Sequence, residues 1–229
     1  MPDIVLIHST GQSAKGWERL IGELAARGSP AHAVDLPNDR PELLAQDYAN
    51  FLADRYGDLD QPFVLAHSGS GPLLPAAATA LGAQRQVWLA AWVPHPSLSF
   101  IGDVRAHQQE AFARDWIGRD PTVEDEAALH FVYHDCDAET QAWALTTRRP
   151  FFPEAAYNET IALETAIPST YILALEDRTI RPAWQRKMAL ERLGIEPVEL
   201  PGGHCPNVSR PRQLAEILAS TETSAVATA

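Results

Sequence analysis

Phe63-Val64-Leu65-Ala66-His67-Ser68-Gly69-Ser70 is an apolar run that stops at small and polar residues, and the segment from Gly71 to Leu81 that follows is rich in alanine and leucine. Read in order, this is a buried strand, a tight turn and a helix, with Ser68 on the turn. Small side chains two residues before and two after the serine, Ala66 and Ser70, let strand and helix close to backbone contact and hold the hydroxyl at the strand's C-terminal end. The helix aims its first backbone N–H groups at the same point, where an oxyanion would form. Ser70 is the poorer nucleophile, because its flanks would be Ser68 and Pro72, with proline at the point of closest approach. An ordinary turn whose serines cap a helix has the same composition. The motif therefore needs partners elsewhere in the chain.

The surrounding sequence repeats the strand–helix rhythm. Ile4 to Ile7 precedes a helical stretch from Trp17 to Arg27, Ala31 to Val34 precedes Pro41 to Tyr56, and Val87 to Val93, Tyr171 to Leu175 and Pro197 to Leu200 supply three more strands. Helices from Pro182 to Leu193 and Pro211 to Ser220 follow the last two. Fully apolar strands alternating with helices predict an α/β fold, a mostly parallel sheet of about six strands with helices on both faces. Between residues 95 and 168 the rhythm changes to helical segments at Val104 to Ile117, Val123 to Tyr133 and Ala138 to Thr147. This insertion follows the fourth strand, so it is expected as a small helical cap over the C-terminal sheet edge, where open α/β sheets bind ligands. Its aromatic residues, Phe100, Phe112, Trp116, Phe131, Tyr133, Trp143, Phe151 and Phe152, either line an apolar pocket or pack cap against core, and packing is favoured for any one of them.

Nothing in the composition divides the 229 residues, so residues 1–229 are read as a single domain, with 221–229 as a disordered tail. A hydrophobic fraction of 45% with six tryptophans supports a large core. The net charge of −12 offers no basic patch, which argues against nucleic acid and membrane as partners. The first strand begins at Ile4, no apolar run approaches a membrane span, and there are two cysteines, Cys136 and Cys205. These features predict a cytoplasmic protein with reduced thiols. His134, Asp135, Cys136, His204 and Cys205 match no metal-ligand spacing, and no metal is expected. Oligomeric state leaves no trace in the sequence.

A nucleophilic serine needs a base, and the base an orienting acid. Asp177 lies in the turn Glu176-Asp177-Arg178 after the strand Tyr171 to Leu175, with Glu176 as the alternative acid. His204 lies in Pro201-Gly202-Gly203-His204-Cys205-Pro206, a loop after the last strand. All three fall on one sheet edge, in the order Ser68, Asp177, His204. A second loop on that edge, His8-Ser9-Thr10-Gly11 after the first strand, is placed to complete an oxyanion site. The donors would be the N–H groups of Gly69 and Thr10, with Ser9 able to add a hydroxyl and His8 bracing the loop without proton transfer.

These residues resemble α/β-hydrolases of the plant methylesterase and hydroxynitrile lyase group, with related bacterial esterases. His8-Ser9-Thr10 with Trp17 resembles that group's oxyanion loop, and Ala66-His67-Ser68-Gly69-Ser70-Gly71 its nucleophile turn. Trp88-Leu89-Ala90-Ala91-Trp92-Val93-Pro94 is similar to its strand into the cap, Tyr171 to Asp177 to its acid strand, and Gly202 to Ser209 to its histidine loop. The resemblance implies the α/β-hydrolase fold and a cofactor-free serine hydrolase. In it Ser68 attacks a small, largely apolar carboxylic ester, His204 moves the proton and Asp177 orients His204. Hydroxynitrile lyases of the group carry a lysine directly after the histidine, and here that position is Cys205, which favours ester hydrolysis. Aspartate-nucleophile dehalogenases and epoxide hydrolases are disfavoured by Ser68. The alternatives are a carbon–carbon bond hydrolase or hydroxynitrile-lyase-like enzyme with the same triad, or a ligand-binding receptor on the same fold.

Overall fold

The computed structural model describes residues 2–226. Six strands form one sheet, β1 (Ile4–Ile7), β2 (Ala31–Ala33), β3 (Phe63–His67), β4 (Arg85–Leu89), β5 (Ser169–Ala174) and β6 (Val198–Leu200). They lie in the order β2-β1-β3-β4-β5-β6, and every pair is parallel. Ten α-helices accompany them among the described residues. In chain order these are α1 (Glu18–Ala25), α2 (Ala45–Tyr56), α3 (Leu74–Ala80), α4 (Phe100–Ala111), α5 (Asp125–Ala127), α6 (Ala138–Leu145), α7 (Glu154–Asn158), α8 (Pro182–Met188), α9 (Pro206–Ser209) and α10 (Pro211–Val226).

Strand side chains alternate between two cores, so both faces of the sheet are buried. Val5, Ile7, Val64, Ala66 and Trp88 point into one, with Leu52, Leu74, Ala78 and Met188 from α2, α3 and α8. Ile4, Leu6, Phe63, Leu65, Val87 and Leu89 point into the other, beneath Leu20, Leu24, Leu214 and Leu218 of α1 and α10. Strand order reverses between β1 and β3. Their register, with Ile7 opposite Ala66, brings the loops after both strands side by side at the C-terminal edge.

Helices α4 to α7 lie between β4 and β5 and form the cap. One anchor is Asp103 of α4, fully buried, which accepts from Trp92 Nε1 at 2.7 Å and from Arg192 Nη1 at 2.5 Å. Burial alone would raise this carboxyl, but hydrogen bonds and charge from Arg192, with help from Trp92 and His107, outweigh it and hold the group below the usual carboxylate range. A buried pair satisfied on all sides fixes where the cap docks.

Several element boundaries differ from those read in the sequence. The apolar run Val87 to Val93 is a strand only to Leu89, because Ala90 takes φ +42° and turns the chain while its neighbours stay buried under the cap. Helix α2 begins at Ala45 instead of Pro41. Asp47 accepts from the Leu44 N–H at 2.9 Å, and Glu159 reaches across to accept from the Ala45 N–H at 2.8 Å. The cap helix read as Val104 to Ile117 spans Phe100–Ala111, and Phe112 leaves it to pair with Ile180. Of the segment 221–229 read as a tail, residues 221–226 continue α10, and 227–229 lie outside the described residues.

Candidate active site

Ser68 takes φ +54°, a left-handed conformation that a serine adopts only where the surroundings enforce it. Two constraints enforce it here. The Trp92 N–H donates to the Ser68 carbonyl at 2.9 Å, and a Cβ on Gly71 would overlap the Trp92 carbonyl oxygen. The contact that admits no side chain is therefore at Gly71. Ser70, expected to mark that closest approach, instead donates its hydroxyl to the His8 carbonyl at 2.6 Å. Gly71→Ala is expected to destabilise the fold by about 1–3 kcal/mol, because backbone must shift on both sides. The midpoint of urea unfolding measures it.

The histidine loop after β6 lays His204 over the serine. His204 Nδ1 lies 2.7 Å from Asp177 Oδ2, and His204 Nε2 lies 2.8 Å from Ser68 Oγ. A carboxylate only accepts, so Nδ1 carries the proton, and Nε2 is left to accept from the serine. Asp177 is held at both oxygens. Its Oδ1 accepts from the Thr179 and Ile180 N–H groups at 2.7 and 3.0 Å, and Oδ2 also accepts from Gln185 Nε2 at 2.7 Å. Glu176, the alternative acid, has an exposed side chain and joins the site only through its backbone. Ser68, Asp177 and His204 are 7%, 6% and 3% exposed, so little solvent weakens their hydrogen bonds.

Beside the serine, Gly69 occupies the first turn of the helical segment Ser68–Leu73, where backbone N–H groups have no intrahelical acceptor. Thr10 faces it closely enough that a Cβ on Gly69 would overlap Thr10 Oγ1. A residue absent from the sequence reading, Tyr157 of α7, ties the two together. Its hydroxyl donates to the Gly69 carbonyl at 2.8 Å and lies 2.5 Å from Thr10 Oγ1. Tyrosine has one proton to give, so Thr10 Oγ1 must be the donor in the second bond. The Thr10 hydroxyl is thus committed, and what remains to meet an oxyanion is its backbone N–H. Ser9 lines the cavity, with Oγ directed to the Thr10 carbonyl at 3.3 Å. Nothing in the cap sequence singled out Tyr157, since an aromatic residue in a short helix looks like packing.

His8 donates from Nδ1 to the Ser9 carbonyl at 3.1 Å and accepts from the Leu36 N–H at 3.0 Å. Burial lowers its imidazole to about 4, opposed in part by the bond to Ser9. His67 is likewise buried and lowered, to about 3, by burial and by the neighbouring His204, and it donates from Nε2 to the His204 carbonyl at 2.8 Å.

Ser68 and His204 open on a cavity of about 680 Å³ between sheet edge and cap, lined by Phe100, Phe112, Trp116, Tyr133, Phe151 and Phe152 as well as Trp92. The cap aromatics thus divide. Phe131 packs edge-on against Trp116, and Trp143 stacks under Arg19. The two cationic side chains on the wall, Arg119 and Arg148, are paired with Glu124 and Asp125. Cys205, next to the histidine, accepts from Gln12 Nε2 at 3.1 Å, and burial pushes its thiol well above the ordinary range, so it stays neutral. Among the described residues no three His, Cys, Asp or Glu side chains converge as a metal ion requires, and no helix is long and apolar enough to cross a membrane.

The sequence profile described as "Alpha/beta hydrolase family" matches residues 4–217. Among solved structures, polyneuridine aldehyde esterase aligns with a TM-score of 0.81 at 21% identity, covering 97% of this chain and 99% of that one. A methylesterase from Arabidopsis aligns at 0.74 and 19%, covering 97% and 99%. A pyrethroid hydrolase aligns at 0.74 and 23%, covering 96% of each chain. No curated protein matches this chain in sequence. At these identities the structural likenesses speak for the fold.

Proposed function

The chain belongs to the alpha/beta hydrolase family, and from that we propose a serine-dependent carboxylic ester hydrolase acting on a small, largely apolar ester through an acyl-enzyme. The observation that carries this reading is the unbroken chain from Asp177 through His204 to Ser68, at 2.7 and 2.8 Å, on the floor of an aromatic-walled cavity. Ser68 Oγ attacks the ester carbonyl as its proton passes to His204 Nε2, and Asp177 balances the imidazolium. The carbonyl oxygen, now anionic, meets the N–H groups of Gly69 and Thr10. His204 then gives its proton to the departing alkoxide, leaving the acyl group on Ser68. Water enters, loses its proton to the same nitrogen as it attacks the acyl carbon, and His204 returns that proton to Ser68 Oγ as the bond to the serine breaks and the acid leaves.

Aromatic walls favour an ester with an aromatic or branched apolar portion, and the paired state of Arg119 and Arg148 gives no free cation for a carboxylate-bearing substrate. The neutral thiol of Cys205 supports hydrolysis over cyanide release, because no positive charge stands beside His204 to stabilise a leaving anion. Neither nucleic acid nor a membrane enters this reading.

The test is the mass of the intact protein after exposure to a small organophosphonate ester. A single adduct in the wild type, absent from Ser68→Ala, is the expected result. An unmodified folded wild type would count against an activated serine and in favour of a ligand-binding role.

A further inference from the structure

The cap does more than wall the cavity. Its turn Tyr133-His134-Asp135-Cys136, between α5 and α6, reaches down to the two loops that carry the acid and the base. Asp135 has a side chain 5% exposed, and its Oδ2 accepts from the Gly203 N–H at 2.9 Å, one residue before His204. Arg210, at the end of the same loop, lies 3.7 Å from that oxygen. His134 donates from Nε2 to the Glu176 carbonyl at 3.0 Å, one residue before Asp177. The two loops are also tied directly, Glu176 N–H to Gly202 carbonyl at 2.9 Å.

The glycines of the histidine loop follow from this contact. A Cβ on Gly203 would stand 2.8 Å from both Asp135 Oδ1 and His134 Nε2, and one on Gly202 would stand 2.8 Å from Asp135 Oδ2. Gly202 also takes φ +118°. The loop has no side chain at these positions because the cap turn occupies the space. On the other side of His204, Cys205 packs with Phe131, Val132 and Tyr133 of the cap. His204 is therefore flanked on both sides by residues held by one cap segment. Asp135 Oδ1 is buried with no hydrogen-bond partner among the described residues.

We propose that Asp135, assisted by His134, is a positioning residue of the triad: the cap turn clamps the histidine loop and the acid turn, so that the His204–Asp177 geometry depends on the cap being seated. The catalytic consequence rests on the ester-hydrolase reading above, whereas the geometric one does not. A base displaced by a fraction of an ångström loses rate steeply, and displacement by about 1 Å is worth about a hundredfold.

Two readouts separate the clamp from that reading. The first is the low-field proton resonance of His204 Nδ1–H, assigned by its loss in His204→Gln. The second is the rate at which an organophosphonate ester modifies Ser68. In Asp135→Ala the resonance is expected to broaden or vanish and the modification rate to fall by about ten- to a hundredfold, with unfolding still cooperative. Asp135→Asn keeps an oxygen for the Gly203 N–H and is expected to restore the resonance and most of the rate. If Asp135→Ala does not fold, His134→Ala, which removes only the bond to the Glu176 carbonyl, is expected to shift the resonance and lower the rate in the same direction. A folded Asp135→Ala or His134→Ala protein with the wild-type resonance overturns the clamp. A wild type that shows the resonance but resists the organophosphonate overturns the hydrolase reading instead, and the clamp is then decided by the resonance alone.

Discussion

Replacing Ser68 by alanine is expected to lower kcat for ester hydrolysis by about four to six orders of magnitude while leaving the fold intact. The side chain removed is one oxygen, at a position whose φ of +54° is imposed by Trp92 and Gly71, not by the hydroxyl. His204→Ala should cost about as much, and the double variant little more, since in the proposed mechanism nucleophile and base act as one unit. A small residual rate over water is expected from the Gly69 and Thr10 amides. Steady-state kinetics on a p-nitrophenyl ester measure all three variants. Turnover by Ser68→Ala at the wild-type rate would remove the acyl-enzyme and leave the triad geometry without a catalytic role. Asp177→Asn should lower kcat less than either, because its part is to hold the tautomer of His204.

The second large effect is on stability. Lowering the pH from about 7.5 to about 5 is expected to remove about 4 kcal/mol of unfolding free energy through His8 and His67 alone. Both imidazoles are lowered chiefly by burial, to about 4 and about 3, and both are neutral in the folded protein. In the unfolded chain each takes up a proton near its ordinary value of about 6.5. Between these limits the unfolded state binds more protons than the folded one. The stabilisation is therefore whole above about pH 6.5 and shrinks as the pH falls toward about 4, by about 2 kcal/mol per ring at about pH 5. Asp103 does not oppose this, because its lowered carboxyl is lost only below the ordinary carboxylate range, outside the window. Urea unfolding at the two pH values is the measurement; a loss of about 2 kcal/mol would mean that one ring is solvated, and equal free energies that both are.

Much of the site could be read from local sequence because each of its parts is punctuated locally. Apolar runs end at Ile7, Ala66 and Leu175, and small or polar residues follow each, so the strand ends and the loops that carry Thr10, Ser68 and Asp177 are marked by composition. Parallel strands place all such loops on one edge whatever the details of packing. Sequence erred where burial and conformation part company. Ala90 to Val93 are as apolar as a strand and as buried, yet they turn beneath the cap. In the cap itself the helices shift or break at Phe112 and around Ala128–Val132, because tertiary contacts override a weak helical pattern there.

From sequence alone follow the parallel α/β architecture, the insertion after the fourth strand, and the placement of Ser68, Asp177 and His204 on one sheet edge, since hydrophobic period and turn chemistry are properties of neighbouring residues. The partners of those residues required the folded chain. Tyr157 meets Thr10 and Gly69, Gln185 meets Asp177, and Asp135 meets Gly203 across long sequence separations. No periodicity encodes such pairs, because a single hydrogen bond between distant segments is fixed by how helices and loops pack in three dimensions.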